Sequence, residues 1–71
     1  MNYFVIKNDQ GFYFTGKGME FSSALDYAKK YPKVYLAQAA AYKLVHSNGY
    51  KGVLRIFLVE VEETEITDWD V

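Results

Sequence analysis

Few residues of this chain could carry out catalysis. Its 71 residues include no cysteine and a single histidine, His46. Without cysteine or a second histidine, no zinc site of the usual composition can form within one chain, and a Ser-His-Asp arrangement could use only this residue. His46 falls in the last turn of a predicted helix, where a partly cationic imidazole interacts favourably with the carbonyl end. We therefore expect a structural role for His46, with no metal and no cofactor.

The glycine pair in Gly16-Lys17-Gly18 invites comparison with phosphate-binding loops. It lacks the longer glycine pattern followed by Lys and Ser or Thr, so a turn between a strand and a helix is the better interpretation. Carboxylates are plentiful only in residues 60–71, where a flexible tail suits neither paired acid–base catalysis nor a dedicated metal site. These observations predict that the protein is not an enzyme.

The net charge of −1 is unevenly distributed along the chain. Residues 1–59 carry all eight basic groups and three acids, a net charge of +5, whereas residues 60–71 carry six acids and no base, a net charge of −6. One interpretation is that an acidic tail keeps a small aromatic-rich protein in solution. The functional interpretation is an acidic edge that binds a basic surface on a larger partner protein.

The chain contains seven tyrosines, more than a core of this size can bury with every hydroxyl hydrogen-bonded. Several rings should therefore reach the surface, and Tyr and Trp are the rings most favoured at binding hot spots. The alternative is that the rings pack by their edges around the core and contact only water. The predicted partner-binding residues are Tyr27, Tyr31, Tyr35, Tyr42, Glu62, Glu63, Glu65, Asp68 and Trp69.

Nucleic-acid binding is the alternative function. A sheet that carries Tyr3, Tyr13 and Phe57 beside lysines and Arg55 has the composition of a base-stacking platform with phosphate contacts. The pI near 5.7 and the acidic tail oppose the electrostatic attraction that supplies most non-specific affinity for nucleic acid. We therefore rank nucleic-acid binding below protein binding.

Two helices are predicted within a single domain that spans residues 1–71. The longer covers residues 32–49, with Pro32 suited to the first turn and Asn48-Gly49 to the exit. The shorter covers about two turns over residues 24–31 and ends before the proline. An alternative is one continuous helix, which would stack Tyr27, Tyr31 and Tyr35 in a stripe. The apolar positions that define the longer helix are Val34, Ala37, Ala41, Leu44 and Val45.

Three strands and one further short strand complete the predicted fold. Residues 2–7 and 12–15 form a hairpin around a turn at residues 8–11, and residues 50–62 form the central or longest strand. Residues 64–67 would add an edge strand. The product is an α+β, two-layer domain in which an antiparallel sheet of three or four strands, in the order ββ-α-α-β(β), carries helices on one face.

The alternation of side chains predicts which residues face the core. Phe12 and Phe14 should point inward and Tyr13 outward, where its hydroxyl can stay hydrated. The apolar set of the long strand changes parity near Phe57-Leu58. Either both faces of that strand are covered, or a bulge moves the apolar side chains across; we prefer the bulge, because one helical layer covers only one face.

The sequence predicts a cytoplasmic protein without a membrane partner. No apolar run approaches the roughly 20 residues of a membrane span, and the N-terminus lacks the basic region and apolar core of a signal peptide. The absence of disulfides fits a reducing compartment. Self-association as a homodimer is also expected, since an aromatic surface or a free strand edge can pair with its own copy.

A strand-turn-strand-helix pattern spans most of the chain, in residues 3–8, Gly11 and residues 13–16, 22–23, 28–31 and 37–39. In this layout the chain resembles small uncharacterised proteins encoded by phages and prophages of low-GC Gram-positive bacteria. The resemblance implies a setting in which accessory proteins inhibit host enzymes, CRISPR or other defence systems. The predicted function is a non-enzymatic protein-binding module whose partner is a larger host protein with a basic surface. The resemblance implies that such a module could inhibit a host enzyme or a defence system, as an anti-CRISPR protein does.

Overall fold

The computed structural model describes residues 2–60 and 62–66. It shows an α+β protein with one antiparallel five-strand sheet in the order β3-β2-β1-β4-β5 and a single α-helix in the described residues. A 3-10 helix, Leu25–Tyr27, follows the third strand. The regular elements in chain order are β1 (Tyr3–Asn8), β2 (Tyr13–Phe14), β3 (Phe21–Ser22), α1 (Val34–His46), β4 (Leu54–Val59) and β5 (Glu63–Ile66). The predicted count of three or four strands is therefore wrong.

The turn between β1 and β2 forms where the composition predicted it. The side-chain oxygen of Asn8 accepts hydrogen bonds from the backbone N–H groups of Gln10, at 3.0 Å, and Phe12, at 2.9 Å. Gly11 adopts a φ of 81°, in the left-handed region that glycine occupies without a steric penalty. Phe12 is 41% exposed at the end of this turn, so the prediction that it points into the core is wrong.

The central pair, β1 and β4, is in continuous antiparallel register from Tyr3 opposite Val59 to Asn8 opposite Leu54. The predicted bulge near Phe57-Leu58 is therefore wrong. The chain instead covers both faces of β4, which was the alternative interpretation of its apolar pattern. Leu54 and Ile56 pack in the cluster that contains the helix, whereas Val59, with Phe57 beside it, packs in a second cluster.

Helix α1 packs against β1 and β4 and buries Ala37, Ala41 and Leu44. Two of these side chains are methyl groups, so the helix can lie close to the sheet. The turn predicted to end the helix at Asn48-Gly49 is also present. Gly49 has a φ of 74°, and the N–H of Tyr50 donates to the carbonyl of Leu44 at 2.8 Å. The helix is shorter than the predicted span of residues 32–49 at both ends.

The predicted short helix over residues 24–31 is wrong. Only the 3-10 helix forms there, and the chain that follows is paired to β1, with the N–H of Phe4 donating to the carbonyl of Tyr31 at 2.7 Å and the reverse bond at 2.9 Å. Pairing with β1 satisfies these backbone groups outside a helix, and the extended conformation suits a residue before Pro32. The alternative stripe of Tyr27, Tyr31 and Tyr35 on one continuous helix is excluded for the same reason.

Strand β3 was not predicted. Its two residues pair with β2, Phe21 opposite Phe14 and Ser22 opposite Tyr13, and form one edge of the sheet. Strand β5 forms the other edge, in agreement with the predicted short strand near residues 64–67, although residue 67 lies outside the described residues.

Buried side chains lie on both faces of the sheet. The face that contacts α1, here called the helix face, carries the larger cluster, made of Ile6, Phe14, Tyr31, Ala37, Ala41, Leu44, Leu54 and Ile56. The opposite face, here called the far face, carries a smaller cluster of Val5, Tyr13, Ala28 and Val59, with Leu25 of the 3-10 helix packed against it. No helix in the described part of the chain is long and apolar enough to cross a membrane.

Candidate functional site

The most exposed aromatic surface of α1 is a row formed by Tyr35, Tyr42 and His46, here called the tyrosine row. Tyr35 is 62% exposed and Tyr42 is 56% exposed. At 100° per residue, the row lies on the side of the helix opposite buried Ala37 and Ala41. The periodicity that buries alanines against the sheet therefore also gathers large rings on the surface of the same helix.

Two side chains of the tyrosine row, those of Tyr42 and His46, pack against each other. The rings of Tyr42 and His46 lie one helical turn apart, with centroids separated by 4.1 Å and planes inclined by 30°. Each ring limits the rotamers available to the other, so less side-chain entropy remains to be lost when a partner covers them. His46 is in the last turn of α1, as the sequence predicted.

The charge around the tyrosine row is positive. Helix α1 contains no acidic residue, and its last turn contains Lys43 and His46. Lys33 occupies the N-cap position at the other end. Leu36, 39% exposed, lies beside the row and was missed by the sequence analysis. Residue 36 does not belong to the set of apolar positions at 34, 37, 41, 44 and 45 that predicted the buried face. This mismatch was the signal that could have identified Leu36 as an exposed apolar side chain.

The predicted partner-binding tyrosines do not form one surface. Tyr27 is 70% exposed, but it belongs to the 3-10 helix whose neighbours Leu25 and Ala28 pack on the far face. Tyr31 is only 9% exposed and belongs to the main core cluster, so little of this ring is accessible to a protein partner. Two of the four predicted tyrosines, Tyr35 and Tyr42, therefore share a face.

The predicted acidic residues lie away from the tyrosine row. Glu63 and Glu65 are in β5, opposite Val59 and Phe57, which places them on the far face. Glu62 is exposed immediately before β5. The remaining two predicted residues, Asp68 and Trp69, lie outside the described residues.

The two carboxylates of β5 already have partners within the chain. Glu63 accepts a hydrogen bond from the Tyr13 hydroxyl at 2.5 Å and another from the Lys7 ammonium at 3.1 Å. Glu65 pairs with Arg55 at 3.2 Å. A basic partner surface would have to compete with these internal cations for the same oxygens.

The ionisation of the Tyr13–Glu63 pair reflects these contacts. Burial acts to raise the pKa of Glu63, but the hydrogen bonds from Tyr13 and Lys7 and the charge of Lys7 outweigh it, so the pKa is lowered. Burial, followed by the hydrogen bond and charge of Glu63, raises the pKa of Tyr13 to about 12. The pair is therefore an ionised carboxylate and a neutral phenol at pH 7.

The aromatics of the far face are partly covered by cations. The Lys7 ammonium lies 5.0 Å from the ring centroid of Tyr13 and 4.7 Å from that of Phe57, and the Lys30 ammonium lies 5.5 Å from the centroid of Tyr3. Tyr13 is only 7% exposed. A nucleic-acid base that stacked on Tyr13 or Phe57 would first have to displace Lys7 from its contact with Glu63.

Within residues 2–60 and 62–66, no group of three or more His, Cys, Asp or Glu residues could hold a metal ion. Comparison of the chain with protein-family models, curated proteins and solved structures finds no match. The function therefore has to be inferred from the surfaces described above.

Proposed function

We propose that this protein is a protein-binding module and that the tyrosine row on α1 is its contact surface. The observation that carries the proposal is the exposure of Tyr35 and Tyr42, 62% and 56%, at seven-residue spacing on one face of the helix. Exposed aromatic residues at this spacing are the anchors with which a helix binds a groove on another protein. The Tyr42–His46 stack lowers the entropic cost of that binding.

The partner that fits this surface has an apolar groove with acidic residues at its rim. Lys33 and Lys43 flank the row, and α1 carries no acid that would attract a basic surface. This proposal revises the basic partner expected from the sequence, because that expectation relied on carboxylates such as Glu63 and Glu65. Those two carboxylates lie on the far face, where they are paired internally.

The interface would be small. A helix of 13 residues is about 20 Å long at ~1.5 Å per residue, so one exposed face buries an area at the low end for specific complexes. We expect a dissociation constant of about 1 μM, typical of a transient complex rather than an obligate one. Coverage of a groove by α1 would exclude other ligands from that groove. Inhibition of a host enzyme or a defence system, the role implied by the phage resemblance, is our proposal for the consequence of binding.

The test is an affinity capture from a nuclease-treated bacterial lysate, compared between the wild-type chain, the Tyr35→Ala/Tyr42→Ala variant and the Tyr27→Ala variant. Tyr27 is the matched control because it is the more exposed ring but lies on a different part of the molecule. We expect one protein to be captured by the wild type and by Tyr27→Ala, and to be lost with the double variant. Calorimetry with the purified captured protein should then show at least ~10-fold weaker binding by the double variant.

Capture that is unaffected by Tyr35→Ala/Tyr42→Ala would overturn this proposal. A second copy of the chain is a distinct outcome: sedimentation would then show a concentration-dependent dimer that the double variant abolishes.

Nucleic-acid binding is the second candidate, favoured by the exposed cations Lys30 and Arg55, the first of which lies 5.5 Å from the ring centroid of Tyr3 on the far face. Material that is captured only without nuclease, and lost when Lys30 and Arg55 are changed to Glu, would support it over the tyrosine row.

A further inference from the structure

A cleft of about 230 Å³ opens between α1 and the loop that joins β2 to β3. Its floor is aromatic and aliphatic, formed by Phe14, Tyr31 and Leu44, which are buried side chains of the main core cluster. Ala40 forms one wall. Phe14 and Tyr31 are 6% and 9% exposed, so only a small part of each ring is accessible, and the short Ala40 side chain leaves space beside them.

The rim of the cleft is polar. Lys43 and Asn48 from the C-terminal end of α1 lie on one side, and Gly16 and Gly18 lie on the other. The two glycines have φ angles of 90° and 53°, and they bring the backbone to the rim with no side chain between it and the cleft. An ammonium group, a carboxamide and a glycine backbone are groups that can hydrogen-bond an anion.

The charge near the rim is predominantly positive. Lys17 lies between the two glycines in the chain, and the aliphatic part of Lys29 packs against Gly16. Of the nearby lysines only Lys43 lines the cleft, while Lys17 and Lys29 add positive charge to the neighbouring loop, where the nearest acid along the chain is exposed Glu20. An anionic group at the rim would therefore be favoured over a cationic one.

We propose that this cleft binds a small organic anion with a flat apolar body, of the aromatic carboxylate class. Its ring would lie against Phe14 and Tyr31, and its carboxylate would contact the Lys43 ammonium and the Asn48 amide. The volume is below the roughly 300–1,000 Å³ of sites for drug-sized ligands, so one ring with one short acidic group matches it better than a nucleotide. An inorganic anion would leave the aromatic floor unused. The cleft shares Lys43 with the flank of the tyrosine row, but this inference does not require a protein partner.

The probe is benzoate, titrated into the ¹⁵N-labelled full chain and followed by amide chemical shifts. Benzyl alcohol, which has the ring without the charge, and acetate, which has the charge without the ring, are the matched probes. We expect saturable shifts at Gly16, Gly18 and Asn48 with a dissociation constant of about 1 mM, as for a small fragment. Both matched probes should bind at least ~5-fold more weakly, because each provides only half of the contacts.

Two variants and a control locate the site. Lys43→Met should weaken benzoate at least ~5-fold while it leaves benzyl alcohol unchanged, and Ala40→Leu should weaken both by filling the cleft. Lys33→Met, at the other end of α1, should have no effect. Shifts that do not saturate, equal responses to acetate and benzoate, or an unchanged benzoate affinity in Lys43→Met would overturn the proposal. If the amide spectrum shows that Ala40→Leu is unfolded, the affinities of Lys43→Met for benzoate and benzyl alcohol still test the proposal.

Discussion

The hydroxyl of Tyr13 donates a 2.5 Å hydrogen bond to the carboxylate of Glu63, which is 50 residues away in the chain. The contact joins β2 to β5 across β1 and β4, the two strands that lie between them in the sheet. Lys7, on β1, donates to the other oxygen of the same carboxylate. The edge strand β5 is thus tied to the rest of the far face by side chains as well as by its pairing with β4.

Removal of the Tyr13 hydroxyl should destabilise the protein. A hydrogen bond to a charged, partly buried carboxylate contributes about 1.5–3 kcal/mol, and Lys7 would retain part of that stabilisation. For Tyr13→Phe we therefore expect the free energy of unfolding at pH 7 to fall by about 1–2 kcal/mol, measured by urea denaturation. Tyr27→Phe is the control, because that ring is 70% exposed, and it should change stability by less than about 0.5 kcal/mol. Equal stability of the two variants would contradict a role for the Tyr13–Glu63 bond.

Acidification should remove the stabilisation that Glu63 provides. Its pKa is lowered in the folded state, so its contribution is present above the pKa of the unfolded chain, about 4.3, and is lost as the pH falls through the folded-state value. The free energy of unfolding of the wild type should fall below pH ~5 more steeply than that of Glu63→Gln. Urea denaturation at pH 7, 5, 4 and 3 measures both slopes, and parallel slopes would exclude this carboxylate as a source of acid sensitivity.

Alkaline pH should weaken the Tyr13–Glu63 hydrogen bond by ionising the Tyr13 hydroxyl. The pKa of Tyr13 is raised to about 12, so the folded state favours the neutral phenol. Its contribution is fully present below the ordinary tyrosine pKa of about 10 and is lost as the pH rises from there through the folded-state value. Between pH ~10 and ~12, the wild type should lose more stability than Tyr13→Phe, as followed by circular dichroism in urea. A larger loss of stability in Tyr13→Phe than in the wild type would contradict this explanation.

Gly16 should tolerate substitution less well than Gly18. A methyl group at Gly16 would lie 3.1–3.2 Å from three carbons of the Lys29 side chain, at a φ of 90° that alanine rarely adopts. The same methyl at Gly18, with a φ of 53°, would meet nothing within 4 Å. We expect Gly16→Ala to cost about 2–3 kcal/mol and Gly18→Ala about 1 kcal/mol in thermal or urea unfolding. Adding Lys29→Ala to the Gly16→Ala variant should restore part of the lost stability. If it restores none, the destabilisation comes from backbone strain alone and not from the contact with the Lys29 side chain.

The closeness of α1 to the sheet should make Ala41 sensitive to size. Ala41 is fully buried, whereas Ala39 on the same helix is exposed. For Ala41→Leu we expect a loss of about 1–3 kcal/mol from overpacking, and for Ala39→Leu a change within about 0.5 kcal/mol. Both are measured by urea denaturation. A neutral Ala41→Leu variant would show that the interface between α1 and the sheet can expand.

Local signals in the sequence predicted the elements that depend on local interactions. The turn at Asn8 to Gly11 formed because an Asn side chain and a glycine can close it without outside help. The spacing of Ala37, Ala41 and Leu44 correctly predicted the buried face of the main helix. The exposure of individual tyrosines was harder to predict, because it depends on what packs over each ring. Tyr27 and Tyr31 are four residues apart, yet one is exposed and the other is in the core.

The sequence by itself determined the α+β class, the main helix with its buried alanines, and the hairpin at the N-terminus, since these follow from periodicity and turn chemistry within a few residues. Tertiary structure alone decided that residues near Tyr31 pair with β1 instead of forming a helix, that β4 is covered on both faces, and that Glu63 lies beside Tyr13 and Lys7. Each of those outcomes depends on hydrogen bonds or packing between segments far apart in the chain, and no local pattern records which distant group will satisfy a given backbone or side-chain atom.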